Sequence, residues 1–154
     1  MTIEEFERIV NKYSNMILRI AMANLNHLED AKDIIQEVFI KLYKQKDFNS
    51  EEHLKNWLIR VTINQCRSVQ RLFYRKNKIS LDDVFIVDES NQISIVEELS
   101  LLKNEERVYV YLHYIEGYTY REIAALFNKN ESTITSKIRR AIKKLKVVLV
   151  EDLL

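Results

Sequence analysis

The sequence predicts an all-α protein: two small helical domains joined by a flexible acidic linker, the second built on a helix-turn-helix. Three observations carry this. One glycine and no proline in 154 residues, against typical usage of about 7% and 5%, leave too few turn formers for a sandwich or barrel. Nor is there a glycine run for a dinucleotide fingerprint or a P-loop. Apolar residues recur at three-and-four spacing over most of the chain, the period of an amphipathic helix. Finally, charges that nearly cancel, to +1, are sorted into blocks along the sequence.

A first helix is read on Phe6, Ile9, Val10, Tyr13, Met16, Ile17 and Ile20, and a second on Ala31, Ile34, Ile35, Val38, Phe39 and Leu42. The polar stretch Asn24 to Asp30 separates them, with Asp30 in place to cap the second. Gln45 to His53 lacks the period and reads as a loop. A third long helix then carries Leu54, Leu58, Val61, Val69 and Leu72, so residues 1–77 make one small bundle. Trp57, Phe73 and Tyr74 are read as its packing residues, with base stacking as the other reading of Trp57.

Residues 78–97 alternate apolar and acidic without a helical period. Short strand pairing is one reading of them. A linker is the favoured one, because a connector above about 15 residues is usually functional or mobile. Charge supports this division. From His53 to Leu81 there is no acid among Lys55, Arg60, Arg67, Arg71, Arg75, Lys76 and Lys78. From Asp82 to Glu98 there is no base among Asp82, Asp83, Asp88, Glu89, Glu97 and Glu98, and from Ser132 to Val150 there is again no acid.

Residues 98–154 return to the helical pattern with Leu99, Leu102, Val108, Tyr111, Leu112 and Ile115. Gly117 follows, where a helix end favours the left-handed backbone that glycine adopts without a clash. Thr119-Tyr-Arg-Glu122 is a capping box, with Tyr118 and Ile123 spaced for a hydrophobic staple. The helix it opens carries Ile123, Ala124 and Phe127 and ends where Asn128 can take a left-handed turn. Asn130 or Ser132 then caps a further helix on Ile134, Ile138, Ala141, Ile142 and Leu145. Helix, short turn, helix is the arrangement that inserts its second member in the DNA major groove. With that apolar face inward, Ser132, Thr133, Thr135, Ser136 and Arg139 offer donors and acceptors to base edges and phosphates. Lys137, Arg140, Lys143, Lys144 and Lys146 can neutralise phosphates.

The third helix of the first domain has its own basic face. Arg60, Asn64, Arg67, Arg71 and Arg75 follow at spacings of four, three, four and four, which forms one stripe. Arginines suit phosphates. An amide among them can both donate to and accept from a base edge.

Four stretches together resemble a known family. They are Asp30-Ala-Lys-Asp-Ile-Ile-Gln-Glu-Val-Phe39, Trp57-Leu-Ile-Arg-Val-Thr-Ile-Asn64, the helix beginning near Leu102, and Gly117-Tyr-Thr-Tyr-Arg-Glu-Ile-Ala124 with Ser132-Thr-Ile-Thr-Ser-Lys-Ile-Arg-Arg-Ala141. In this order they are similar to the small sigma factors of the extracytoplasmic-function (ECF) group, promoter-recognition subunits of bacterial RNA polymerase. The resemblance implies that residues 1–77 bind core polymerase and the minus-10 element, and that residues 98–154 read the minus-35 element. By motif position, Asp33, Gln36 and Glu37 fall on the polymerase-binding helix. Phe48, Asn49 and Ser50, with Asn64 and its arginine stripe, fall near the extruded minus-10 base. Ser132, Thr133, Thr135, Ser136, Lys137, Arg139 and Arg140 fall on the minus-35 recognition helix. It also implies an anti-sigma partner, often membrane-bound. The chain departs from the family's usual pattern with Lys103 for Pro, Asn128 for Gly, Lys129 for an apolar residue and Ser68 for Asp.

Other classes have less behind them. Cys66 is alone, which gives no disulfide framework and suits a reducing cytoplasm. The N-terminus is acidic where a signal peptide is basic, and no apolar run reaches the roughly 18 residues of a membrane span. An enzyme is not expected: His27, His53 and His113 are far apart, no HExxH or paired-carboxylate motif occurs, and neither metal nor cofactor is implied. The competing reading is a helix-turn-helix regulator that dimerises through residues 1–77 and acts without being a polymerase subunit. That domain would have no use for the stripe containing Asn64.

Overall fold

The computed structural model describes residues 1–25, 27–45, 47–77 and 102–153, with side chains to 72 in the first half and to 146 in the second. The expected linker at 78–97 therefore lies outside the described residues, as do the side chains of Phe73, Tyr74 and Arg75. The described helices are α1 (Ile3–Leu25), α2 (Leu28–Lys44), α3 (Glu51–Asn77), α4 (Asn104–Tyr114), α5 (Tyr120–Phe127) and α6 (Glu131–Leu153). The chain divides into two compact units, Met1–Val84 and Phe85–Leu154.

In the first unit α1, α2 and α3 pack against one another. The core takes Ile9, Ile17 and Ile20 from α1, Ala31, Ile34, Val38 and Leu42 from α2, and Leu54, Leu58, Ile59, Ile63 and Cys66 from α3. Burial pushes the Cys66 thiol up to about 12, so it stays a protonated apolar filler. The α3 core face is not the expected one: Val61 and Val69 are half-buried and Leu72 is 65% exposed. Leu72 lies just past Gln70, whose Nε2 donates to the Asn24 carbonyl of α1 at 2.9 Å. At about 1.5 Å per residue, this 27-residue helix outruns its 17-residue neighbour α2.

The boundaries in this unit also differ from expectation. Asn24 is inside α1 and buried, its amide donating to the Ile20 carbonyl at 3.0 Å. The cap position of α2 is His27, and Asp30 sits in the first turn, where its charge favours the helix N-terminus and reaches His27 at 3.9 Å. α3 starts at Glu51, ahead of Leu54, because the loop supplies its own cap. The Ser50 hydroxyl accepts the His53 amide at 3.0 Å, and His53 Nδ1 accepts the Asn49 amide at 3.1 Å. This is a variant of the capping box, with His53 accepting from the residue before the cap where a Glu or Gln would accept from the cap residue's own amide.

The second unit follows its turn and cap signals closely, but Ile115 of the expected helical pattern lies past the end of α4 and is 63% exposed, and Leu99 lies outside the described residues. Lys103 precedes α4 with φ −68°, the value a proline ring would fix, so a lysine there keeps the same backbone path. α4 ends in a turn in which Gly117 has φ +77° and the Tyr118 amide reaches back to the Leu112 carbonyl at 2.9 Å. A Cβ at 117 would meet nothing within 4 Å, so backbone conformation alone calls for glycine there. The capping box forms with both bonds at 3.1 Å, Thr119 amide to Glu122 carboxylate and Glu122 amide to Thr119 hydroxyl. Tyr118 and Ile123 are both buried, as a staple requires. Asn128 takes the left-handed conformation at φ 53°, ψ 49°, and Asn130 precedes α6 with its carbonyl accepting the Ile134 amide. Leu102, Val108, Leu112, Ile123, Ile134, Ile138 and Ala141 form the core, with the Tyr109 and Phe127 rings edge to face at 4.8 Å. Leu145 is only half-buried.

Candidate polymerase and DNA interfaces

On α2, Ala31, Ile34, Val38 and Leu42 point into the bundle, and this turns Asp33, Gln36 and Glu37 outward within one turn. All three are exposed. Beside them an open groove of about 560 Å³ runs between α1 and α2, lined by Phe6, Val10, Ile35, Gln36, Phe39, Ile40, Tyr43 and Lys44. The Phe6 ring stands edge-on to Phe39 at 6.3 Å and to Tyr43 at 5.7 Å, and Tyr43 remains 68% exposed. Sequence reasoning placed Phe6, Ile35 and Phe39 on core faces and missed this groove. Its signal was an apolar arc, widened by Ile40 and Tyr43, broader than a three-helix core needs.

On α3, Arg60, Asn64, Arg67 and Arg71 are all exposed along the face opposite the core, and Arg75 continues the helix beyond the described side chains. The Arg71 Nε donates to the Arg67 carbonyl at 3.4 Å. Ser68 donates to the Asn64 carbonyl at 3.2 Å, which commits its hydroxyl to its own helix.

At the N-terminus of α3 the loop residues are held in several ways. Phe48 is half-buried, edge-on to both Trp57 and His53 at 5.4 Å, so Trp57 packs on the loop. Asn49 is exposed, and the Ser50 hydroxyl is engaged in the cap. Glu51 anchors the helix start to α1. Its carboxylate accepts from Arg8 at 3.1 and 3.3 Å, from Lys12 at 3.0 Å and from the Tyr13 hydroxyl at 2.7 Å. These bonds, Arg8's first, pull the Glu51 carboxyl down to about 2. Its partners lie some forty residues away in sequence, beyond the reach of any local pattern.

On α6, burial of Ile134, Ile138 and Ala141 leaves Ser132, Ser136, Arg139 and Arg140 exposed and Thr133 and Thr135 half-buried. Thr135 donates to the Glu131 carbonyl at 2.9 Å, so its hydroxyl proton is used within the helix. Lys137, expected on the DNA face, turns instead to α4, where its ammonium donates to Glu105 at 2.7 Å. Lys129 reaches the same carboxylate at 3.6 Å, and Lys144 reaches Glu106 at 3.5 Å. Partial burial works to raise the Glu105 carboxyl, but hydrogen bonds from Lys137 and Tyr109 hold it below its ordinary range.

Comparison with known proteins fits this geometry. Residues 9–78 match the model of sigma-70 region 2, and residues 92–145 match that of sigma-70 region 4. Among curated relatives, the ECF RNA polymerase sigma factor SigM of Bacillus subtilis is 26% identical over 159 residues, covering 96% of this chain and 95% of the relative. SigM of Mycobacterium tuberculosis is 24% identical over 142 residues, covering 88% and 72%. Among solved structures, the sigma factor RpoE of Bartonella quintana, crystallised with the anti-sigma factor NepR, superposes with a TM-score of 0.77 at 22% identity, covering 96% of this chain and 98% of that one. A region 2 match across the first unit disfavours a dimerising regulator, whose N-terminal half need not resemble a sigma factor. The chain belongs to the sigma-70 family, and within it to the ECF sigma factors, which act with core RNA polymerase in promoter recognition and the initiation of transcription.

Proposed function

We propose that three surfaces of the chain divide this work. In this reading residues 1–77 form a region 2 domain, 78–97 a linker and 98–154 a region 4 domain. Asp33, Gln36 and Glu37, with the apolar groove beside Gln36, bind core polymerase. Phe48, Asn49 and Ser50 with Arg60, Asn64, Arg67, Arg71 and Arg75 engage the minus-10 element, the arginines on phosphates and Asn64 on a base. Ser132, Thr133, Thr135, Ser136, Arg139 and Arg140 of α6 engage the minus-35 element, and Lys137 belongs to that surface only if Glu105 releases it.

The observation that carries this reading is the exposed α3 stripe, one amide among arginines, on the same small bundle as the α2 face. A binder of duplex alone has no use for both. An anti-sigma factor, anchored in the membrane, is proposed as the partner that holds the protein inactive in the cytoplasm. Support comes from RpoE, which was solved with one bound. None of the described helices is long and apolar enough to cross a membrane. Replacing Asp33, Gln36 and Glu37 together by Ala should leave helicity intact and abolish both co-elution with core polymerase and run-off transcription. Core binding as tight as the parent's would reject the assignment.

A further inference from the structure

Glu105 stands in the first turn of α4, yet its carboxylate collects groups from three elements. One oxygen accepts from Lys137 of α6 at 2.7 Å, and the other lies 3.6 Å from Lys129 in the turn between α5 and α6. The Tyr109 hydroxyl donates to it from the next turn of α4, and the Lys137 ammonium also lies 6.0 Å from the Tyr109 ring centre. Arg139, on the other side of α6, is exposed, and so is Arg140, which lies between Lys137 and Lys144 along the helix. A carboxylate that holds a lysine does what a DNA phosphate would otherwise do, because it neutralises the ammonium and fixes its stem.

We propose that Glu105 is a positioning residue that sets sequence discrimination in the C-terminal unit. It keeps Lys129 and Lys137 off the DNA backbone and fixes the rotation of α6, so that duplex binding depends on the side chains facing away from α4. This rests on the reading of α6 as the minus-35 helix. Phosphate contacts carry no sequence information, and each one raises affinity for every duplex alike. Two lysines held by an internal acid therefore lower affinity for every duplex alike. It is the fixed rotation of α6, which keeps its outward side chains in register with base edges, that favours the right sequence and is lost when Glu105 lets go.

The test uses the full chain, a duplex selected by the parent protein from a randomised pool, and a scrambled duplex, titrated across a salt series. Glu105→Gln keeps the size and the acceptor for Tyr109 and removes the charge. It should steepen the log–log salt slope by about 1.8, two lysines at about 0.9 each. It should also narrow the affinity ratio between selected and scrambled duplex. Lys137→Gln alone should leave the slope unchanged, because that lysine is already neutralised, but in the Glu105→Gln background it should take back about 0.9. An unchanged slope and ratio in Glu105→Gln, with only a lower melting temperature, would reduce Glu105 to a structural tie. A shallower slope in Lys137→Gln alone would show that this lysine already meets phosphate, and either result overturns the proposal. A parent that selects no sequence while the variants still shift the slope would sink the minus-35 reading itself.

Discussion

Asn64 is the uncharged member of an exposed stripe whose other described members are arginines, and this difference assigns it a different task. Guanidiniums hold a backbone, but a strand held that way offers its bases only after unpairing, at a cost of a few kcal/mol per base. An amide that pairs with the extruded base returns part of that cost. Asn64→Ala should therefore keep the fold and core binding, lower run-off transcription on duplex promoter, and recover on a template mismatched across the minus-10 region. Full activity on duplex would make Asn64 an ordinary surface residue. Glu51 poses a different residue-scale question, since its carboxyl is pulled to about 2 by Arg8, Tyr13 and Lys12. A depressed folded pKa means that its stabilisation is present above the unfolded value, near 4.5, and fades as pH falls towards 2. Because the side chain is 45% exposed, solvent screening limits the effect to about 1 kcal/mol. Glu51→Gln should lower stability in urea by about that amount at pH 7, and the gap to the parent should shrink by pH 3. A gap independent of pH would show that packing, not charge, ties α3 to α1.

At the scale of elements, each of the two turns that join α4, α5 and α6 contains one residue in the left-handed region, Gly117 and Asn128. Gly117→Ala forces a side chain into the left-handed region and should cost about 1–2 kcal/mol although the site is open. Asn128→Gly, at φ 53°, should be near neutral, and Asn128→Ala should cost about 1 kcal/mol. Thermal denaturation of the three variants checks the order; equal losses would show that φ is not what these positions select. These turns were legible in the sequence because caps and left-handed residues are local signals read within four or five positions. The start of α2 was misread for a related reason: Asp30 has cap chemistry, but the helix begins at Leu28 and uses that carboxylate in its first turn. What could not be read were ties between distant positions, Glu51 to Arg8 and Glu105 to Lys137, because periodicity shows which face a residue occupies and not which helix it meets.

Over the whole molecule, the placement of charge matters more than its sum. Basic α3 and basic α6 belong to different units, and the acids of the intervening sequence are common to both as neighbours in the chain. Exposed pairs are worth about 0–1 kcal/mol each and are screened by salt, so any effect of those acids on DNA affinity is collective. Replacing Asp82, Asp83, Asp88 and Glu89 by Asn or Gln should raise non-specific duplex binding at low salt and lose that gain at high salt. Affinity unchanged at low salt would rule out such masking. The two-unit division was legible from the same block pattern, whereas the groove between α1 and α2 was not, since its residues carry the spacing of a core face.

The only tryptophan in the chain, Trp57, packs at 5.4 Å against Phe48 in the first unit, and the second unit has none. Excitation at the red edge of protein absorption therefore illuminates one half of the molecule and leaves the other dark. Emission from Trp57 is a native optical gauge of the Phe48 loop. Stopped-flow traces can time events at that loop against binding by the C-terminal helices, with no dye attached to the protein.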